Sequence, residues 1–296
     1  MKIVREQRVL EKMASKRYAR SLGSNIFVAI ILLLSGALLV LPLVYSVSNS
    51  LKPFDEIFIY PPRLYVVNPT LDNFTDLIAM CSNTWVPFLK YLFNSLSTSA
   101  STTFLMVIIS SMCAYPLAKN EFRGRKLIFE LIVTSLLFVP AVTFLPQYFI
   151  FSGLGMIDTY WVMILPVLGT TLGVFLMKQF MEQIPTALLE AARIDGYSEF
   201  QILFKIIMPN VKPAWMTLII FTFQGAWNNT TVQQFVFKEG LRTLPTLMTQ
   251  IIMGNTMARS GVSAAATVFM MIPPILLFIV SQSAVVQTMA YAGIKE

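Results

Sequence analysis

Two stretches of this sequence carry side chains whose types and spacing could do chemistry. The first is Pro185-Thr-Ala-Leu-Leu-Glu190-Ala191-Ala192-Arg193-Ile-Asp195-Gly196. It sets two carboxylates and a guanidinium within about two turns of good helix formers, where they can pair with charges on another protein surface. The second holds Phe223, Gln224, Trp227, Asn228 and Thr231. Amides and hydroxyls satisfy the hydroxyls of an uncharged polar solute without demanding a charge, and aromatic faces pack on its apolar faces. At helical spacing Gln224, Asn228 and Thr231 share one face. The same groups also hydrogen-bond between helices inside a membrane, and the sequence leaves both readings open.

Most other chemistry is excluded. There is no histidine, and the two cysteines, Cys81 and Cys113, sit in unlike settings. That leaves no zinc constellation, no Cys/His nucleophile and no histidine proton relay. The cysteines read as packing residues rather than as a disulfide. No Gly-x-x-x-x-Gly-Lys-[Ser/Thr] loop is present, so ATP is not held by that device. An ion-coupled transporter needs an ionisable group at membrane depth. The long apolar stretches carry none, and Glu130 sits only at an inner edge.

The elements that must position the two stretches follow from composition. Of 296 residues, 56% are hydrophobic and 12% charged, where a soluble domain carries roughly a quarter charged. Charge-free stretches run over 21–51, 91–118, 131–157, 159–177, 213–237 and 260–294, each near the ~20 residues that cross a bilayer. The prediction is an all-α polytopic membrane protein of about six transmembrane helices. Gly153-Leu-Gly155 and Asp158 mark a tight turn between the third and fourth.

The net charge of +7 suggests topology rather than nucleic acid. Lys2, Arg5, Arg8, Lys12, Lys16, Arg17 and Arg20 precede the first span, and Arg123, Arg125 and Lys126 crowd one short loop. Placing these inside leaves only Lys52, Arg63, Lys90, Lys238, Arg242 and Arg259 outside, and both termini are then cytoplasmic. The expected organisation is a basic N-tail at 1–20, a first span at 21–51 and an extracytoplasmic segment at 52–90. A core with about five spans follows at 91–290, and a cytoplasmic C-tail at 291–296. Within 52–90, prolines dictate a partly extended course, with a short helix near Asp72–Met80.

Inside the core, 178–212 reads as two short cytoplasmic helices. Pro185 suits an early helical position, Gly196 a left-handed C-terminal stop, and Ser198 with Gln201 a capping box for the second helix. Phe200, Leu203, Phe204 and Ile207 form one apolar stripe. Pro209 ends that helix, and Pro213 opens the next span.

At these residues the chain resembles the permeases of binding-protein-dependent ABC importers. Glu190-Ala191-Ala192, Gly196, Ile206 and Pro209 match the spacing of their "EAA" loop, and the run through Arg193 and Asp195 looks like the carbohydrate-uptake, maltose-transporter branch. Further matches are Asn94-Ser95, Ala114-Tyr115, Phe122-Arg-Gly-Arg125, Leu154-Gly-Met-Ile-Asp158-Thr-Tyr160, Ala226-Trp227-Asn228 and Gly293-Ile-Lys295. Met208 replaces the usual leucine before the proline, a volume-conserving exchange. Asn229-Thr230 stand where the family often has an acidic residue and phenylalanine.

The resemblance implies a type I importer permease fold in a prokaryotic cytoplasmic membrane. It implies a second related permease, an ATPase dimer holding ATP and Mg, an extracytoplasmic solute-binding protein and a sugar as substrate. This chain would carry no cofactor and would not itself be an enzyme. Glu190 would pair with a basic ATPase residue, Gly196 would allow the bend, and Ala191 and Ala192 would keep the helix slim enough to enter a groove. A permease for a non-sugar solute is the nearest alternative.

Overall fold

The computed structural model describes residues 22–82, 86–138, 140–253 and 260–293, and among these every regular element is helical. The N-tail, Arg259 and Lys295 lie outside the described residues.

Helix α1 (Leu22–Leu51) is apolar on every side and exposed along nearly all its length. Only its last turns are buried, and it packs against α12 (Ser260–Gly293) and α3 (Asp72–Ser82). Such a helix needs lipid or another subunit around it. Between α1 and α3, helix α2 (Phe54–Ile57) and an extended run are tied down by buried charges. The Glu56 carboxylate accepts from Val67 N and Asn68 N at 2.7 and 3.3 Å, and Lys52 Nζ donates to Asn49 Oδ1 and Arg63 O. The short helix expected near Asp72–Met80 is α3.

Helix α4 (Phe88–Lys119) is the hub. Its buried side carries a run of Ser and Thr, which lets α8 (Leu172–Glu182), α7 (Trp161–Leu168) and α11 (Lys212–Trp227) approach it. At Gly173 of α8 an added Cβ would lie 2.4 Å from Ser110 Oγ, so glycine is required by proximity. Cys81 is buried in the core, but Cys113 is exposed on α4 and is not a packing residue within this chain.

Three helices are long and apolar enough to cross a bilayer among the described residues, over 25–51, 88–119 and 260–283. Counting two bent pairs, α7 with α8 at 44° and α10 (Glu199–Asn210) with α11 at 84°, gives up to five. The stretch expected as a third span divides into α5 (Arg125–Ser135) and α6 (Pro140–Gly153). Pro140 supplies the reason, since it lacks the N–H that a continuous helix would need at that position. The turn after α6 forms as expected, with Gly155 and Asp158 at φ 65° and 60°. Asp158 does more than break a helix. Its Oδ1 accepts from Phe237 N and Lys238 N at 2.5 and 2.8 Å, pinning a distant loop.

Candidate functional site

Two regions qualify, and the first is built from consecutive residues. Helix α9 (Thr186–Ile194) starts after Pro185 and stops at Gly196, which adopts φ +81°. Tyr197 N donates to Ala192 O and Gly196 N to Arg193 O, the two bonds of a Schellman ending. A Cβ at Gly196 would meet nothing within 4 Å, so its requirement is conformational rather than steric. The capping box is present: Gln201 N donates to Ser198 Oγ and Ser198 N to Gln201 Oε1.

Helix α10 contains a π-helical segment at Ile202–Ile207 and runs through Pro209 to Asn210, one residue beyond the expected stop. Proline cannot donate to the carbonyl four residues back, and the wider turn accommodates that gap. Trp215 Nε1 donates to Met208 O, bracing the right-angled elbow into α11.

The elbow has two unlike faces. Leu189, Ala192, Ile202, Leu203 and Ile207 are buried against α4 and α8, with half-buried Ile206 beside them. Ala192 faces the chain's own core, because helical spacing carries it to the side of Leu189. The expected apolar stripe is split likewise, since Leu203 and Ile207 point in while Phe200 and Phe204 are exposed. On the outer face are Glu190, Ala191, Leu188, Asp195, Pro209 and Ile194, the last 87% exposed.

Arg193 is already engaged within the chain. Its Nε lies 2.8 Å from Glu199 Oε1, and Tyr115 of α4 donates its hydroxyl to Glu199 Oε2. The Arg193 guanidinium, then the Tyr115 hydroxyl, holds the Glu199 carboxyl below its ordinary range. Nearby, Lys119 Nζ donates to Glu182 O and Ile184 O, while Arg125 donates to Leu117 O, Ala118 O and Glu182. These loops are thus wired to the end of α4. The sequence showed Tyr115 only as a motif letter and Arg125 as a motif letter and a topology charge, and it gave no sign of Glu199 or Glu182.

The second region is a cavity of about 900 Å³ where helix interruptions meet. The end of α5, the Gly169–Thr171 break between α7 and α8, and the end of α11 all line it. Irregular backbone is tolerated at membrane depth where it faces protein or a water-filled space. Thr143, Gln147, Thr222 and Asn229 line it with Phe144, Phe221 and Phe235.

Of the side chains expected on the pathway, only Thr231 lines this cavity. Helix α11 ends at Trp227, with Asn228 as C-cap and Thr231 in a 3₁₀ turn, so Gln224, Asn228 and Thr231 do not share a helical face. Short polar side chains compete for the backbone here, and Asn229 Oδ1 accepts from Thr231 N. Trp227 is 1% exposed, stacks on Phe223 and donates Nε1 to Met270 O, which makes it core and not a sugar platform. Gln224 and Asn228 are exposed elsewhere.

A clamp fixes the loop that follows Phe235. Asn94 Nδ2 donates to Gly240 O and Arg242 O, Tyr160 donates to Asn94 Oδ1, and Leu244 N donates to Ser95 Oγ. The Asn94-Ser95 and Asp158–Tyr160 motifs therefore hold the wall of the bundle.

Comparison with known proteins agrees with this architecture. The chain is 32% identical over 261 residues to the arabinooligosaccharides transport system permease protein AraQ of Bacillus subtilis (strain 168), covering 86% of this chain and 90% of that one. It is 32% identical over 271 residues to the sulfoquinovosyl glycerol transport system permease protein SmoH of Agrobacterium fabrum (strain C58 / ATCC 33970), covering 90% and 92%. Its fold superimposes on a chain of a bacterial ABC transporter involved in the import of the acidic polysaccharide alginate. There the TM-score is 0.74 at 21% identity, over 89% of this chain and 98% of that one. With residues 25–291 matching the family model as well, this multi-pass, all-helical chain belongs to the family of binding-protein-dependent transport system inner membrane components.

Proposed function

We propose that this chain is one of two related permease subunits of an ATP-driven carbohydrate importer in a prokaryotic cytoplasmic membrane. The elbow docks on a cytoplasmic ATPase dimer, which holds ATP and Mg and performs hydrolysis. An extracytoplasmic solute-binding protein delivers sugar to the far side, and the cavity is this subunit's share of the path. The names of the two relatives support a carbohydrate, and the distribution of basic residues supports the inward placement of the elbow and both termini.

The observation that carries this reading is the outer face of the elbow. Leu188, Ile194, Phe200 and Phe204 are exposed on the elbow and alternate along the chain with exposed Glu190, Asp195 and Lys205, a mixture that does not suit a lipid-facing surface. Exposed apolar side chains interspersed with charges, on a rigid helical corner, make a protein-docking surface.

The geometry provides two routes for movement. Through α10 the elbow turns directly into α11, whose Leu218, Phe221, Thr222 and Gly225 line the cavity. Through Arg193, Glu199 and Tyr115 it grips α4, whose Met106 lines the cavity roughly 14 Å further along the same helix. A push on the elbow therefore reaches two walls of the path.

Reversing Glu190 tests the docking. In the Glu190→Arg complex, like-charge repulsion across the contact should abolish ATPase association and sugar uptake while membrane insertion stays normal. A purified Glu190→Arg complex that keeps its ATPase and transports at full rate overturns the proposal.

A further inference from the structure

Among the described residues that line the cavity there is no Asp, Glu, Lys or Arg. Its polar groups are amides and hydroxyls, as on Gln147, Thr143, Thr222 and Thr231. Phe144 and Phe235 stack with centroids 4.9 Å apart and planes 16° from parallel, giving a flat apolar surface beside them. Gln147 is half-buried on α6 and has no hydrogen-bond partner among the described residues, so its amide is available to a solute.

The helix ends add little positive potential. The C-terminal ends of α5, α7 and α11 meet the N-terminal ends of α6 and α8 around this space. Negative ends outnumber positive ones, so the backbone does not supply the charge that the side chains lack. A carboxylate or sulfonate drawn out of water into this space would find no cation, and the two helix N-termini it meets are offset by three C-termini, so its charge stays unpaired at a cost. Neutral hydroxyls would find donors and acceptors at no such cost.

We infer that the cavity wall formed by this chain passes uncharged saccharides and disfavours acidic ones. The inference rests on the carbohydrate reading above and narrows it. The likeness to the alginate importer speaks for fold alone and does not bear on this preference.

The test uses the purified permease–ATPase complex without its solute-binding protein, so that the binding protein's own selectivity does not enter. Saturation-transfer NMR compares two neutral probes, maltotriose and arabinotriose, with trigalacturonate. At least one neutral probe should give a signal that falls tenfold or more in Gln147→Ala, while trigalacturonate gives none. Gln147→Lys should raise the trigalacturonate signal and leave ATPase association intact.

A Gln147-dependent trigalacturonate signal in the unmodified complex overturns the inference, as does a failure of all three probes to bind. Uptake of radiolabelled sugars by the intact transporter separates the two levels of failure. Sugar uptake together with uronate binding sinks only the preference for neutral solutes, whereas uptake of no sugar at all sinks the carbohydrate reading too.

Discussion

The elbow and the cavity are made in opposite ways. The turns that shape the elbow lie within residues 185–209, in the Schellman bonds at Gly196, the Ser198–Gln201 box and the π turn before Pro209, while Trp215 and Tyr115 only brace them from outside. The cavity draws on α4, α5, α6, α7, α8, α11 and the 3₁₀ turn at Thr231–Phe235, with Met106 facing residues far along the chain. A locally encoded device can be broken by one residue of its own. An assembled one is broken most easily at the buried contacts that hold its walls, some distance from the space itself.

The largest effect should come from the elbow. Gly196→Leu forces a branched side chain into a left-handed conformation at about 1–2 kcal/mol and abandons the Schellman ending. Uptake should fall more than tenfold, with ATPase co-purification lost and membrane insertion unchanged. Gly225→Ala at the cavity, where an added Cβ meets nothing within 4 Å, should leave folding intact. If both variants behave alike, the contrast between the two regions is wrong.

Next in size is Trp227→Ala. This side chain is fully buried and bonded to Met270 O, so its loss should destabilise the protein by about 3–5 kcal/mol in thermal unfolding. The surviving protein should keep its apparent sugar affinity, since the indole does not line the cavity. A large change in affinity without loss of stability would return Trp227 to the pathway.

Asn94→Ala should cost about 1–3 kcal/mol, because it strands two carbonyls and the Tyr160 hydroxyl at a buried site. Loosening of the 237–244 loop should appear as faster hydrogen exchange there, with the elbow's exchange unaltered. Faster exchange at the elbow alone would show that the two regions are not separately held.

The smallest effect concerns Glu199. Its carboxyl is held low by Arg193 and Tyr115, so the contact stabilises the fold above the unfolded carboxylate value of about 4.3. That contribution is lost as pH falls through the depressed folded value. A difference in thermal midpoint between the unmodified chain and Glu199→Gln should be present at pH 7 and shrink in the acid range below about pH 4. A difference that grows on acidification would contradict the assigned network.

How much was legible in the sequence divides along the same line. Gly196, Ser198, Gln201 and the α3 helix were readable because short-range backbone rules act over a few residues. Glu199 was not, because its partner Tyr115 lies 84 positions away and nothing local distinguishes a bonded glutamate from a solvated one. The polar run after Trp227 was misread for a related reason. Helical spacing was extended through Asn228-Asn229-Thr230, where side-chain amides compete with the helix for its own backbone groups.

By itself the sequence determined that this chain lives in a bilayer, that its elements are helices, and that a capped elbow interrupts them near Gly196. Those properties follow from hydropathy, chain length and turn chemistry, which need no knowledge of neighbours. Only the tertiary structure decided that Ala192 faces inward, that Trp227 is core, and that three helix interruptions far apart in the chain enclose one space. Burial and enclosure depend on which surfaces meet, and that is settled by packing over the whole bundle rather than by the spacing of residues along it.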